Sequence, residues 1–150
     1  MKDRFLEGLK KYLSIEIAVE YKACLYFFAI LFFHCCYLMI KHVYSASILC
    51  MFEMIMTAYF MCYLQIYVFD NFDEAEKLRK KEVLGIFTCS ILYTALSYVF
   101  GWFDRQKIPT LLFFAFILLG YGCMYLVNKI KRRIDTENLN KMLWDYKKTN

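Results

Sequence analysis

Glu53 and His34 are the two residues whose chemistry differs most from that of their surroundings. Glu53 is the only formally charged residue in the apolar stretch 43–69, and His34 lies in the uncharged stretch 23–40. An ionised carboxylate in such surroundings is costly unless it is paired, protonated or turned toward the interior of a bundle. Two interpretations are open for Glu53: a proton- or cation-binding site, or a neutral side chain hydrogen-bonded to a hydroxyl of a neighbouring helix. His34 is expected to be a hydrogen-bonded core residue, with Glu53 as its best partner.

Cysteine is the other reactive residue type, and all seven cysteines fall within apolar stretches. None of them belongs to a CxxC pair or to a standard zinc spacing. A tight hairpin of the first two stretches would bring Cys35, Cys36 and Cys50 level with His34 and Glu53, a set that suits a soft metal ion. Adjacent residues on a helix point about 100° apart, however, so Cys35 and Cys36 would not converge. We therefore expect no metal and no cofactor, and we interpret the cysteines as packing residues.

A third feature is a polar stripe in the third apolar stretch. Small or hydroxyl-bearing residues recur there at helical spacing, and they are Ser90, Thr94, Ser97 and Gly101. Small residues on one face let helix backbones approach closely, and their hydroxyls can bond across the contact. The stripe predicts a helix-packing surface; a substrate path lined by the same hydroxyls is the alternative.

Four apolar stretches must position these residues. The chain is 61% hydrophobic and has only one proline and five glycines. The stretches with little or no charge predict spans at about 23–40, 44–69, 83–103 and 108–127, and about 20 residues are needed to cross the hydrocarbon core. Helices satisfy all their backbone groups within lipid. The sequence therefore predicts an all-α, polytopic membrane protein, with residues 1–150 forming a single four-transmembrane-helix bundle.

The basic residues predict the orientation of these spans. All but three of the nineteen lysines and arginines lie before the first span, between spans two and three, or after span four; the exceptions are Lys41, Arg105 and Lys107. Basic residues concentrate on the cytoplasmic side of membrane proteins. Both termini and the 70–82 loop are therefore expected in the cytoplasm of a cell-membrane protein.

Two segments at the membrane edge have helical patterns of their own. Before span one, an amphipathic N-terminal helix in the interface is predicted, and its apolar face comprises Phe5, Leu6, Leu9, Leu13 and Ile17. In the tail 128–150, a cytoplasmic helix that continues span four is predicted, and its apolar side comprises Ile130, Ile134, Leu139, Met142, Leu143 and Tyr146. Such a surface either packs on the protein's own loop or binds a partner.

Other functions find little support in the sequence. The net charge of +5 comes from basic residues at the membrane edge, where they are attracted to anionic lipid, so direct binding of nucleic acid is not expected. There is no glycine-rich phosphate loop, nucleophile elbow or HExxH motif. We therefore expect no enzymatic activity.

Several features recur together in one known family. Trp102 lies at the end of span three, Pro109 opens span four, Tyr121 and Tyr125 lie within it, and the tail carries the segment 139–143, Leu-Asn-Lys-Met-Leu. With a charged loop between spans two and three, the chain resembles, over nearly its whole length, the bacterial domain-of-unknown-function family thirty-twenty-one. Members of that family are typically encoded beside LytTR-type transcription regulators. The resemblance implies a membrane-embedded inhibitor or sensor that binds such a regulator.

Three hypotheses follow for the function. The first is a regulatory protein that binds a cytoplasmic transcription regulator through the 70–82 loop and the 130–146 segment. The second is a small proton-coupled exporter that works as a dimer, a homo-oligomer of two chains, in which Glu53 alternates between proton and substrate. The third is an accessory subunit of a membrane transport complex, which the tail would serve equally well.

Overall fold

A computed structural model describes the backbone of residues 2–149 and the side chains of residues 6–10 and 12–148. The described chain forms four α-helices: α1 (Lys2–Ile40), α2 (Ile48–Val68), α3 (Lys80–Phe100) and α4 (Lys107–Thr149), with a 3₁₀ turn at Phe72–Glu74. Each helix is long and apolar enough to cross a membrane. The prediction of an all-α protein with four candidate membrane spans is confirmed.

The first helix differs from the prediction. No separate interfacial helix precedes span one, because α1 continues unbroken from Lys2 to Ile40. Residues 9–40 contain neither glycine nor proline, so nothing in that stretch favours a turn. The side chains of Leu6, Leu9, Leu13 and Ile17 are exposed along this extension, whereas that of Phe5 lies outside the described residues.

The third span ends earlier than predicted. Gly101 adopts a φ of 74° and its N–H bonds back to the carbonyl of Tyr98. That left-handed conformation favours glycine and stops the helix. Gly101 therefore ends α3 rather than extending its packing face, and Trp102 and Phe103, predicted as helical, are buried in the turn that follows.

The four helices pack as two antiparallel hairpins that join through α2 and α3. α1 packs on α2, and α3 packs on α4. The α1–α4 contact includes the Phe33 ring, whose centroid lies 5.4 Å from that of Phe113 and 5.0 Å from that of Phe116. We call the end with the α1–α2 and α3–α4 loops the His42 end, and the end with the α2–α3 loop the Asp73 end.

The fourth helix is longer than a membrane span. Its 43 residues correspond to roughly 64 Å at the α-helical rise, about twice the thickness of the hydrocarbon core. The predicted continuation of span four into the tail as a helix is confirmed. The second half of α4 extends beyond the bundle at the Asp73 end.

Candidate functional site

Glu53 lies in the second turn of α2, near the His42 end. The helix begins at Ile48, four residues later than the predicted span. The Glu53 side chain is half-buried, and one carboxylate oxygen accepts a hydrogen bond of 3.3 Å from the indole N–H of Trp102. Its partner is thus an indole from the turn after α3, rather than the hydroxyl of the second interpretation.

His34 is a buried residue of α1, as expected, but its described contacts do not include a hydrogen bond to Glu53. Its Nε2 lies 3.7 Å from the Sγ of Cys50 on α2, and its ring lies 6.1 Å from that of Phe103. His34 and Glu53 nevertheless line the same cavity. The sequence predicted that the two residues lie near each other, but it did not predict that Trp102 would bond to the carboxylate.

That cavity, which we call the Glu53 cavity, opens at the His42 end and has a volume of about 320 Å³. It lies between the ends of the helices and the two loops there. Its polar lining comprises His34, Tyr37, Ser45, Ser47, Cys50, Glu53, Trp102 and Asp104. The lining includes two carboxylates and neither lysine nor arginine.

A second cavity adjoins the first. This apolar groove runs between α2 and α3, has a volume of about 410 Å³, and shares Glu53 and Phe100 with the Glu53 cavity. Its other lining residues are Phe52, Met56, Thr57, Phe60 and Leu96. Glu53 therefore lies where a polar cavity and an apolar groove meet.

The cysteines do not assemble a ligand set. Cys35 is exposed, while Cys36 and Cys50 are half-buried. Within residues 2–149, no three histidine, cysteine, aspartate or glutamate side chains lie close enough together to share a metal ion.

The polar stripe of α3 bonds within its own helix. Ser90 Oγ donates to the carbonyl of Ile86 at 2.8 Å, and Thr94 Oγ1 donates to the carbonyl of Ser90 at 2.7 Å. Ser97 Oγ likewise donates to the carbonyl of Thr94. The expected hydroxyl bonds across the helix contact are therefore not formed, because the preceding turn already offers each hydroxyl an acceptor. Ser90 and Ser97 are nevertheless fully buried, so they lie on the packed face.

The Asp73 end contains a buried ionic cluster that the sequence analysis missed. Lys22 Nζ lies 2.8 Å from Asp73 Oδ1 and 3.0 Å from Glu74 Oε1, and it also donates to Asn71. Gln65, fully buried in α2, donates to the same Asn71 oxygen at 3.5 Å. We call these five residues the Lys22 cluster. From the sequence, Lys22 is a basic residue at the start of span one, and the acidic residues Asp70, Asp73 and Glu74 that open the α2–α3 loop were the signal that could have indicated its partners.

The pKa values of the two carboxyls in this cluster are shifted in opposite directions. Burial raises the pKa of Asp73, although the Lys22 ammonium opposes the shift. Burial also tends to raise the pKa of Glu74, but the hydrogen bond and charge of Lys22, with the nearby Arg132, hold that pKa below its ordinary value. An ion pair removed from water is costly unless its hydrogen bonds are satisfied. The α2–α3 loop is therefore held in place by charge.

Three side chains of α4 hold the same loop from the other side. The Tyr125 hydroxyl donates to the carbonyl of Glu76 at 3.4 Å, and Asn128 Nδ2 donates to that of Asp73 at 3.1 Å. The Arg132 guanidinium donates to the carbonyls of Glu74 and Ala75. A forked guanidinium can hold two acceptors at once. The loop thus connects α1, through the Lys22 cluster, to the base of the α4 extension.

The predicted apolar side of the tail divides into two faces. All six of its residues are exposed, but at about 100° per residue Ile130 and Ile134 lie opposite the other four. Leu139, Met142, Leu143 and Tyr146, which we call the tail stripe, continue the helix face that carries Tyr121, Tyr125, Asn128 and Arg132 in the bundle. Ile130 and Ile134 continue the exposed face of Leu119 and Leu126. The prediction of a single apolar side was therefore wrong.

The fold and these side chains define a class of protein: an all-α chain with four candidate membrane spans, a carboxylate-bearing cavity at one end and a long helical extension at the other. No family model, no curated protein and no solved structure matches the chain.

Proposed function

We propose that this chain is a multi-pass membrane protein with both termini in the cytoplasm that binds and controls a LytTR-type transcription regulator. The identity of the partner rests on the family resemblance. The observation that supports a binding role is the α4 extension, on which four apolar side chains form one exposed stripe. Exposed apolar stripes on a helix are a common form of partner-binding surface.

The position of the tail stripe supports a link to the bundle. It lies on the face of α4 that packs against α1, α3 and the α2–α3 loop nearer the membrane. A change in how the bundle packs around Tyr121 and Tyr125 would therefore rotate or shift the same face of the tail. Regulation would follow if two packings of the bundle differ in how well they present the stripe.

The charges of the tail suggest the chemistry of the partner surface. Residues 128–150 carry seven basic and three acidic side chains. A partner surface with an apolar centre and acidic rim would complement the stripe and its surroundings. The alternative occupant is the anionic lipid surface itself, which attracts basic helices.

The two faces of the tail provide a matched experiment. Leu139→Gln with Leu143→Gln alters the tail stripe, while Ile130→Gln with Ile134→Gln makes an equal change on the opposite face. Each variant, together with the unaltered chain and a chain truncated after Val127, is co-expressed with the LytTR-type regulator of the same genome. We expect the regulator to co-purify in mild detergent with the unaltered chain and the Ile130/Ile134 variant, but not with the other two.

The same co-purification separates the two occupants. If the stripe contacts lipid instead of protein, the Leu139/Leu143 variant will retain the regulator, and the proposed contact is wrong. If no variant and no unaltered chain retains the regulator, the partner inferred from the resemblance is wrong. A reporter gene under the regulator's promoter should change expression only with those variants that lose binding.

A further inference from the structure

Glu53 has a carboxylate that no ion pair neutralises among the described residues. The other carboxylate of the Glu53 cavity, Asp104, accepts a hydrogen bond of 2.8 Å from the Tyr37 hydroxyl and lies 3.5 Å from Lys41 Nζ. Glu53 receives only the neutral indole N–H of Trp102. A half-buried carboxylate near a membrane is stabilised by a cation, so the missing positive charge is the first indication of a ligand.

The surroundings of Glu53 suit an organic cation better than a metal ion. The rings of Phe100 and Trp102 stack with centroids 6.1 Å apart and planes 16° from parallel, and both line the Glu53 cavity. Aromatic faces attract alkylammonium groups, tryptophan most strongly. Such a group needs no tight set of oxygen ligands, whereas a metal ion does.

The adjoining groove indicates what the cation carries. Apart from Glu53 and Thr57, its lining is apolar. Phe52, Met56 and Phe60 are more than half exposed on the outer side of α2, where lipid would surround them. An alkyl chain could lie along these residues while its charged end stays at the carboxylate.

We propose that Glu53 binds an amphiphilic organic cation, with the cationic group in the Glu53 cavity beside the carboxylate and the Trp102–Phe100 pair, and the alkyl chain in the groove between α2 and α3. The two cavities share only Glu53 and Phe100, which sets the border between the charged and apolar parts of the ligand. An anionic amphiphile of the same length would meet two carboxylates and be rejected. This site is independent of the tail, so it does not rest on the proposed regulator.

The two tryptophans of the chain allow a direct measurement. Trp144 lies exposed on the tail, so Trp144→Phe leaves Trp102 as the only indole. This variant is reconstituted in nanodiscs of zwitterionic lipid and titrated with octyltrimethylammonium, and with octyl sulfate as the anionic control. We expect a saturable change in Trp102 fluorescence with the cation and none with the sulfate, after subtraction of the signal from an indole-free Trp102→Phe/Trp144→Phe chain.

Three further variants in the Trp144→Phe chain identify the groups involved. Glu53→Gln should weaken binding about tenfold or more, because it removes the charge but keeps the shape. Glu20→Gln removes an exposed carboxylate near the middle of α1, 14 residues before His34, and should change nothing. Met56→Gln should weaken the binding of octyltrimethylammonium but not that of tetramethylammonium, since only the former reaches the groove.

The outcomes decide the proposal. Equal affinity of the Glu53→Gln and Glu20→Gln chains for octyltrimethylammonium would overturn it, as would equal binding of octyl sulfate. If Glu53→Gln does not fold, as judged by its circular dichroism, the chain-length dependence in Met56→Gln and the preference for cation over sulfate decide instead. Loss of both effects would show that the signal reports lipid partitioning alone.

Discussion

The Nζ of Lys22 lies 2.8 Å from the Oδ1 of Asp73, and the two side chains are 4% and 0% exposed. The pair joins α1 to the α2–α3 loop across 51 residues of sequence. The same ammonium also lies 3.0 Å from the carboxylate of Glu74. One lysine thus pairs with two acidic residues at the Asp73 end, and the packing of the loop depends on it.

Removing one member of this pair should destabilise the fold more than removing both. Lys22→Met leaves the buried Asp73 carboxylate without its cation, and breaking a buried pair in this way costs about 3–5 kcal/mol. Lys22→Met with Asp73→Asn removes the stranded charge and should recover part of that loss. The measurement is thermal unfolding in mild detergent, followed by circular dichroism. If the double variant is less stable than Lys22→Met, the charge is not the cause.

The cost of Lys22→Met should also depend on pH. A carboxyl whose folded-state pKa is raised, such as Asp73, favours folding below its unfolded pKa, and that contribution is lost as the pH rises through the folded-state pKa. Glu74, whose pKa is lowered, favours folding above its ordinary pKa, and Lys22→Met removes its main partner. Without Lys22, nothing from that ammonium opposes the burial that raises the pKa of Asp73, and Glu74 loses the partner that lowers its pKa. Both effects make the variant less stable at high pH, relative to the unaltered chain. The difference in unfolding temperature from the unaltered chain should be larger at about pH 8 than at about pH 4.5, and a reversed trend would contradict the assignment.

Gly85 leaves room for the ring of a loop residue. A Cβ built on Gly85 would lie 2.9 Å from Cδ1 of Phe72 and 3.1 Å from Cδ1 of Phe69. The Phe72 ring is fully buried and lies 5.1 Å from the Tyr121 ring, so it has little space to move. Gly85→Ala should therefore destabilise the protein by about 1–3 kcal/mol. Gly122→Ala, where a Cβ meets nothing within 4 Å, is the control and should be neutral or slightly stabilising.

The four helices were predictable because each coincides with an apolar stretch long enough to cross a membrane. Four stretches of low charge formed four helices. Residues 9–40 and 123–149 contain neither glycine nor proline, which explains why α1 and α4 extend beyond a single span. The end of α3 was missed because the pattern of Trp102 and Phe103 is as apolar as that of the helix before it. The helix ends because Gly101 has a positive φ. The sequence does not indicate that φ, since a glycine in an apolar stretch can also adopt a helical conformation.

The site was predictable only in part. Glu53 and His34 were found because charged and polar residues stand out in an apolar stretch. The Lys22 cluster was missed because its members come from three segments, and its charged members Lys22, Asp73 and Glu74 each resemble, alone, an ordinary charge at a span border or in a loop. The division of the tail was missed for a simpler reason: Ile134 and Leu139 are five residues apart, a spacing that turns a helix to its opposite face.

Arg132 should hold the α2–α3 loop through geometry as well as charge. Its guanidinium donates to two loop carbonyls, which a lysine ammonium at the same position would not match. Arg132→Lys should therefore speed hydrogen exchange at the amides of residues 72–79. Arg133→Lys is the adjacent control, because Arg133 is exposed and pairs only with Glu137 among the described residues. Equal exchange in the two variants would show that the loop does not depend on the two hydrogen bonds from the Arg132 guanidinium.

In the proposed orientation, a reagent outside the cell reaches the His42 end of the bundle but not the Asp73 end. Ser45 is exposed in the α1–α2 loop, and Asn138 is exposed on the α4 extension. In a chain whose native cysteines are replaced by alanine, Ser45→Cys should react with a membrane-impermeable maleimide on intact cells, while Asn138→Cys should react only after lysis. The reason is the concentration of basic residues at the Asp73 end, which favours the cytoplasm. Labelling of Asn138→Cys on intact cells would place the tail outside, and a cytoplasmic regulator would then have no access to it.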